Sequence, residues 1–233
     1  MGNRQRGSSK LAETNISSTC LNTSTLLKAC NEDNLTLVES YMRAGEDANH
    51  TEIVSGTELT PLIRASYDGN VLLAKLLLKY GAQVDLQNND GWSALMAASQ
   101  NGHTEAVTLL HEYGAQVDLQ NNDGRSALMA ASQNGHTEVV KLLREYGAQV
   151  DLQNNDGRSA LMAASLNGHT EVVKLLREYG AQVDLQNNDG WSALMVASQN
   201  GHTEVVKLLR EYGAQVDLPV SYTHLTLPTI YSV

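Results

Sequence analysis

Apolar and polar positions along the chain follow one pattern, and it returns every 33 residues. In the stretch 122–154, Ser126 stands before Ala127, Leu128, Met129, Ala130, Ala131 and Ser132. A good N-cap followed by small, helix-favouring residues predicts a short first helix. Asn134-Gly135 ends it, because glycine accepts the left-handed conformation after a helix. Thr137-Glu138 opens a second helix, with the carboxylate near its positive end. Val139, Val140, Leu142, Leu143 and Tyr146 recur at spacings that give this helix one apolar face. Lys141 and Arg144 lie toward its C-terminal half, where cations are favoured, and Gly147 stops it. The polar stretch Asp151 to Gly157 then ends in Asp-Gly, a hairpin signal.

Residues 155–187 repeat those of 122–154 except that Leu166 replaces Gln133, and residues 89–121 differ from 122–154 at four positions. The unit at 188–218 keeps the register but is incomplete. Upstream lie a related unit at 56–88 and a divergent, capping unit at 24–55, with an insertion in the connection His50 to Leu59. Two helices of about eight to ten residues bury no apolar face alone, so each unit must stack on its neighbours. The expected fold is an all-α solenoid of helix-turn-helix units with hairpin-like fingers. Small Ala130 and Ala131 suit close packing between first helices.

The 33-residue period and the pattern G-x-S-A-L-M-A-A-S-x-N-G-H-T-E-V-V-K-L-L resemble the ankyrin repeat family over about residues 24–218. That family opens the first helix with Thr-Pro-Leu-His. Here Thr60-Pro61-Leu62 keeps the first three, Ile63 replaces the histidine, and later units read Ser-Ala-Leu-Met. The departure touches the stability of single repeats rather than the fold. The resemblance implies L-shaped repeats, hairpin fingers and a protein-interaction module with a concave binding face.

Composition narrows the remaining choices. Of 233 residues, 16 are Lys or Arg and 26 are Asp or Glu, a net charge of −10, which disfavours a nucleic-acid partner. The longest unbroken aliphatic run, Leu76 to Leu78, cannot span a bilayer. Residues 1–23 read as a flexible segment without the apolar stretch of a signal peptide. Cys20 and Cys30 form no metal-type pair, and without a signal peptide no disulfide framework is expected; together these bounds point to a cytoplasmic protein, with the nucleus also open to it. After Leu218 the register breaks. Val220 to Thr229 resembles the translation of a transposase-end adapter from sequencing libraries, and Pro219 fits its junction. Residues 219–233 are therefore read as a non-native tail, and the natural protein is expected to continue past 218.

Candidate chemistry is sparse. His103, His136, His169 and His202 recur once per unit, but equivalent positions of stacked helices lie roughly 10 Å apart, too far to share a metal whose ligands sit near 2 Å. They read as turn residues between the helices. His111-Glu112 begins like a zinc-protease motif, but Ala115 occupies the second histidine position. A calcium-loop reading of the finger fails because Leu119 and Ala130 would be ligands. No phosphate loop, G-x-G-x-x-G or G-x-S-x-G is present, so no catalytic residue, cofactor, metal or small-molecule ligand is expected.

Differences between near-identical units say more about recognition than shared residues, which mostly serve stacking. After the finger glycine the series runs Leu59, Trp92, Arg125, Arg158, Trp191 (Glu58 replaces that glycine in the second unit). At the end of the first helix it runs Tyr67, Gln100, Gln133, Leu166, Gln199. Trp and Arg are enriched in binding hot spots, so Leu59, Tyr67, Trp92, Arg125, Arg158, Leu166 and Trp191 are the candidate partner-binding residues. The plainer alternative is that each Trp covers a neighbouring finger and each Arg adds solubility. The leading function is a non-enzymatic scaffold or adaptor for an unknown protein partner. Its rivals are a targeting arm of a larger enzyme or signalling protein, and a membrane-linked scaffold.

Overall fold

The computed structural model describes residues 26–54 and 57–216. The segment 1–23 and the tail 219–233, set apart on sequence, lie outside the described residues. Each unit contributes a short helix and a longer one, in the order α1 (Leu26–Asn31), α2 (Leu35–Arg43), α3 (Pro61–Tyr67), α4 (Val71–Lys79), α5 (Ala94–Gln100), α6 (Thr104–Glu112), α7 (Ala127–Gln133), α8 (Thr137–Glu145), α9 (Ala160–Leu166), α10 (Thr170–Glu178), α11 (Ala193–Gln199) and α12 (Thr203–Glu211). First helices stack on first helices, α1 on α3 and onward to α11, and second helices stack from α4 to α12. The result is an all-α stack with one continuous core.

Local signals account for the helix ends. Thr60, Ser93, Ser126, Ser159 and Ser192 are extended N-caps whose hydroxyls accept from the backbone N–H three residues on. The later units thus keep a working cap without the Thr-Pro pair. In the second helix of the 122–154 unit, Val139, Val140 and Leu143 are buried. Leu142 and Tyr146 are half-buried and pack against the core from its margin. Ala130 and Ala131 have no exposed surface, as close packing of first helices demands.

The fingers differ from the sequence expectation in one respect. A pair of strands forms in the inserted connection, where β1 (Glu52–Val54) and β2 (Thr57–Leu59) run antiparallel with Glu52 opposite Leu59. At the Asp-Gly turns described in later units, pairing is limited to isolated bridges such as Gln153 with Ser159 and Gln186 with Ser192. The reason lies in the side chains: Asn154 Oδ1 accepts from the N–H groups of Asp156 and Arg158, which closes a tight turn without a ladder.

Shared polar residues join one unit to the next. Asp118 accepts from the backbone N–H of Gln149 at 2.9 Å and from its amide at 3.0 Å. Gln120 Nε2 donates to the Gln153 carbonyl at 3.1 Å, and Asn155 Nδ2 donates to the Asn122 carbonyl at 2.9 Å. Equivalent bonds recur along the stack. The four histidines take part as well. Each Nε2 donates to the carbonyl ending the preceding first helix: His103 to Tyr67, His136 to Gln100, His169 to Gln133 and His202 to Leu166, at 2.8–3.0 Å. They are ties between units, more than residues of a turn.

Candidate functional site

The finger row follows from the turn chemistry. In the finger of the unit 155–187 Gly157 holds φ at +79°, and a Cβ there would lie 2.6 Å from Asn188 Oδ1 of the next finger. Only glycine permits that approach. Asn155 N–H donates to the Asp123 carbonyl at 2.9 Å, so neighbouring fingers are held at a fixed offset. Residues 92, 125, 158 and 191 are thereby carried at equivalent places along one side of the stack.

Between this row and the first helices runs a groove of about 680 Å³. Arg125, Arg158 and Trp191 line it from the fingers, and Met129, Met162, Leu166 and Val196 from α7, α9 and α11. Asp123, Asp156 and Asp189 stand along its finger side and are exposed. The groove is therefore mixed in its floor, where Gln133 and Gln199 stand beside Leu166 and Val196, acidic along one rim and punctuated by two guanidinium groups. Such a mixture suits an extended polypeptide, whose side chains alternate in character.

The structure brings four of the seven candidate residues, Arg125, Arg158, Leu166 and Trp191, to this groove. Trp92 is half-buried against the core beneath the Arg125 guanidinium, 5.8 Å from its ring centroid. Leu59 ends β2, half-buried against the core, and Tyr67 ends α3 with 51% of its surface exposed. These three belong to the units 56–88 and 89–121, Leu59 and Trp92 in the finger row and Tyr67 at the end of a first helix, rather than to the groove lining. The sequence reading missed Met129, Met162 and Val196. The methionines carried no signal, being repeated in several units, whereas Val196 did: alanine fills that position in the three preceding units.

The opposite face is occupied by contacts between units. His111 stacks on Tyr146 with ring centroids 3.7 Å apart, and Arg144 and Arg177 lie over Tyr179 and Tyr212 at 5.4 Å. On sequence these cations were assigned only to the helix end, yet they also cap the aromatic ring of the following unit. Lys141 donates to Glu138 at 2.7 Å, a bond that holds its ammonium above the usual lysine range. Among the described residues no cluster of three or more His, Cys, Asp or Glu could hold a metal. No described helix is long and apolar enough to cross a membrane.

Comparison with known proteins agrees with this architecture. A family model described as ankyrin repeats in three copies matches residues 26–121, 73–154, 100–187 and 128–220. The Homo sapiens Notch-regulated ankyrin repeat-containing protein is 56% identical over 36 residues, 16% of this chain and 32% of that protein. The Mus musculus ankyrin repeat and SAM domain-containing protein 6 is 43% identical over 54 residues, 23% of this chain and 6% of the relative. Potassium channel AKT1 of Oryza sativa subsp. indica is 40% identical over 65 residues, 28% of this chain and 7% of the channel. The chain spans no more than 32% of any of these three curated relatives. With the stacked helix pairs, the recurrent polar ties and the family match over residues 26–220 all in agreement, the chain belongs to the ankyrin repeat family.

Proposed function

We propose that this protein is a non-enzymatic scaffold that holds a protein partner in the groove between its fingers and first helices. Ankyrin repeats generally mediate protein–protein interaction, and proteins built from them are typically interaction modules rather than enzymes. The observation that carries the groove reading is the meeting of Arg125, Arg158, Leu166 and Trp191 around one concavity. Planar guanidinium groups and an indole beside apolar side chains supply the contact types that dominate binding energy. Leu59, Tyr67 and Trp92 extend the proposed face toward the second unit.

The test begins with a partner isolated by pull-down. Arg158→Ala combined with Trp191→Ala should weaken its capture at least about tenfold, since truncating a central hot spot costs about 2 kcal/mol or more. Lys141→Ala combined with Lys174→Ala, on the second helices, should leave capture unchanged. The reverse outcome would move the binding face to the second helices.

A second reading, that the array is the targeting arm of a larger protein, draws support from the small share of its relatives that the chain covers, 6% and 7% in two of them. Sequencing the intact transcript decides it. A coding region that adds only further repeats would set this reading aside.

A further inference from the structure

The units 122–154 and 155–187 differ at one residue, and that residue changes what the finger arginine can do. In the first, Arg125 Nη2 donates to Gln133 Oε1, and the guanidinium also lies over the Trp92 ring of the preceding finger. Arg125 is half-buried and its donors are partly committed. In the second, Leu166 stands where Gln133 would, and leucine has no acceptor. The finger before Arg158 carries Arg125 in place of a tryptophan, so no indole lies beneath its guanidinium. Arg158 is exposed, and among the described residues its guanidinium forms no hydrogen bond or ion pair. Asp123, Asp156 and Asp189 line the same groove, yet none pairs with it.

Resting on the groove reading, we propose that Arg158 and Leu166 together form the specificity-determining point of the groove, which takes a carboxylate beside an apolar side chain in an extended segment of the partner. The uncommitted guanidinium presents a planar fork that matches a carboxylate with two parallel hydrogen bonds. Leu166, with the half-buried Trp191 and Val196 in the same lining, receives the neighbouring apolar side chain. Replacing the glutamine by leucine thus does two things at once: it frees the cation and makes its surroundings apolar. The rim acids set a further condition. A segment with several carboxylates would be repelled by Asp123, Asp156 and Asp189, so the favoured partner segment has one acid flanked by neutral or basic residues. Because the aspartates recur in every regular finger, they cannot fix a register along the groove. The Arg158–Leu166 pair occurs once, and it can.

The probe is a phage-displayed library of random peptides selected against the full chain. Enriched sequences should share one Asp or Glu within two residues of Leu, Ile, Met or Phe. A synthetic peptide of that type, with its acid replaced by the matching amide, should bind wild type about tenfold more weakly, the usual effect of losing a charged hydrogen bond. Leu166→Gln makes the unit 155–187 a copy of 122–154, so its folding is safe. This variant should bind the acidic peptide several-fold more weakly and should distinguish acid from amide less than about twofold. Enriched peptides that need Trp191 but share no carboxylate, or an acid preference unchanged in Leu166→Gln, would overturn this inference and leave the groove reading standing. No enrichment, or binders indifferent to Trp191→Ala, would overturn both.

Discussion

Gly135 and Gly147 each follow a helix in the same unit with φ of +76° and +93°, but their surroundings differ. A Cβ on Gly135 would sit 2.7 Å from His169 Nδ1, while one on Gly147 would meet nothing within 4 Å. Gly147→Ala is therefore expected to cost about 1 kcal/mol, the strain of a left-handed alanine. Gly135→Ala should cost about 2–3 kcal/mol, because the imidazole must also move off the Gln133 carbonyl. Urea unfolding of both variants measures the gap, and equal losses would show that the ring yields freely. Ser66, Ser99, Ser132 and Ser165 present a contrasting case: their hydroxyls are buried without a hydrogen-bond partner. Burial removes water and returns nothing, so Ser132→Ala should stabilise the fold by about 1 kcal/mol. A destabilised variant would mean that Ser132 turns to the Leu128 carbonyl, as Ser198 turns to that of Leu194 at 2.7 Å.

At the scale of the element, the second helices start in two ways. Asn34 and Asn70 cap α2 and α4 through side-chain acceptors for the N–H groups of Leu37 and Leu73. The later helices begin at His103, His136, His169 and His202, which make no side-chain cap and spend the ring on the preceding unit instead. Substituting one type for the other exchanges a bond within the helix for a bond between units. His136→Asn is expected to change overall stability by less than about 0.5 kcal/mol, since the two bonds are of similar worth. His136→Ala, which keeps neither, should cost about 1 kcal/mol. Thermal unfolding of the pair separates these outcomes; equal losses in both would show that asparagine fails to cap here.

Across the whole molecule, stability is a chain of nearest-neighbour contacts, and the units are not covered equally. Val140 and Val173 have no exposed surface, whereas Val206, at the same place in α12, is half-buried. Met129 and Met162 are 3% exposed, while the equivalent Met195 is half-buried. Native-state hydrogen exchange should therefore find that amides in α11 and α12 open at lower free energy than those in α7 to α10. Equal protection would show that the stack unfolds only as one unit. Mutations should follow the same geometry: changes in units that do not touch should add, and changes across a shared interface should not.

The helical class, the pairing of a short helix with a longer one and the helix boundaries were legible in the linear sequence because they depend on interactions within a few residues. Ser126 caps its own helix, Gly135 ends it, and the spacing of Val139, Val140 and Leu143 marks its buried face, all within one unit. The seven candidate contact residues were found from differences between units, a signal that needs no coordinates. What the row would touch was not legible. Whether Arg125 lies over Trp92, whether Arg144 covers Tyr179, and that His169 ties to Gln133 depended on the lateral offset of stacked units. Residues about a repeat apart in the chain become neighbours in space, and periodicity says that they recur without saying which atoms meet. Only the tertiary structure decided that, because side-chain pairing across the stack is set by the close packing of alanine-rich helices and the fixed geometry of the fingers.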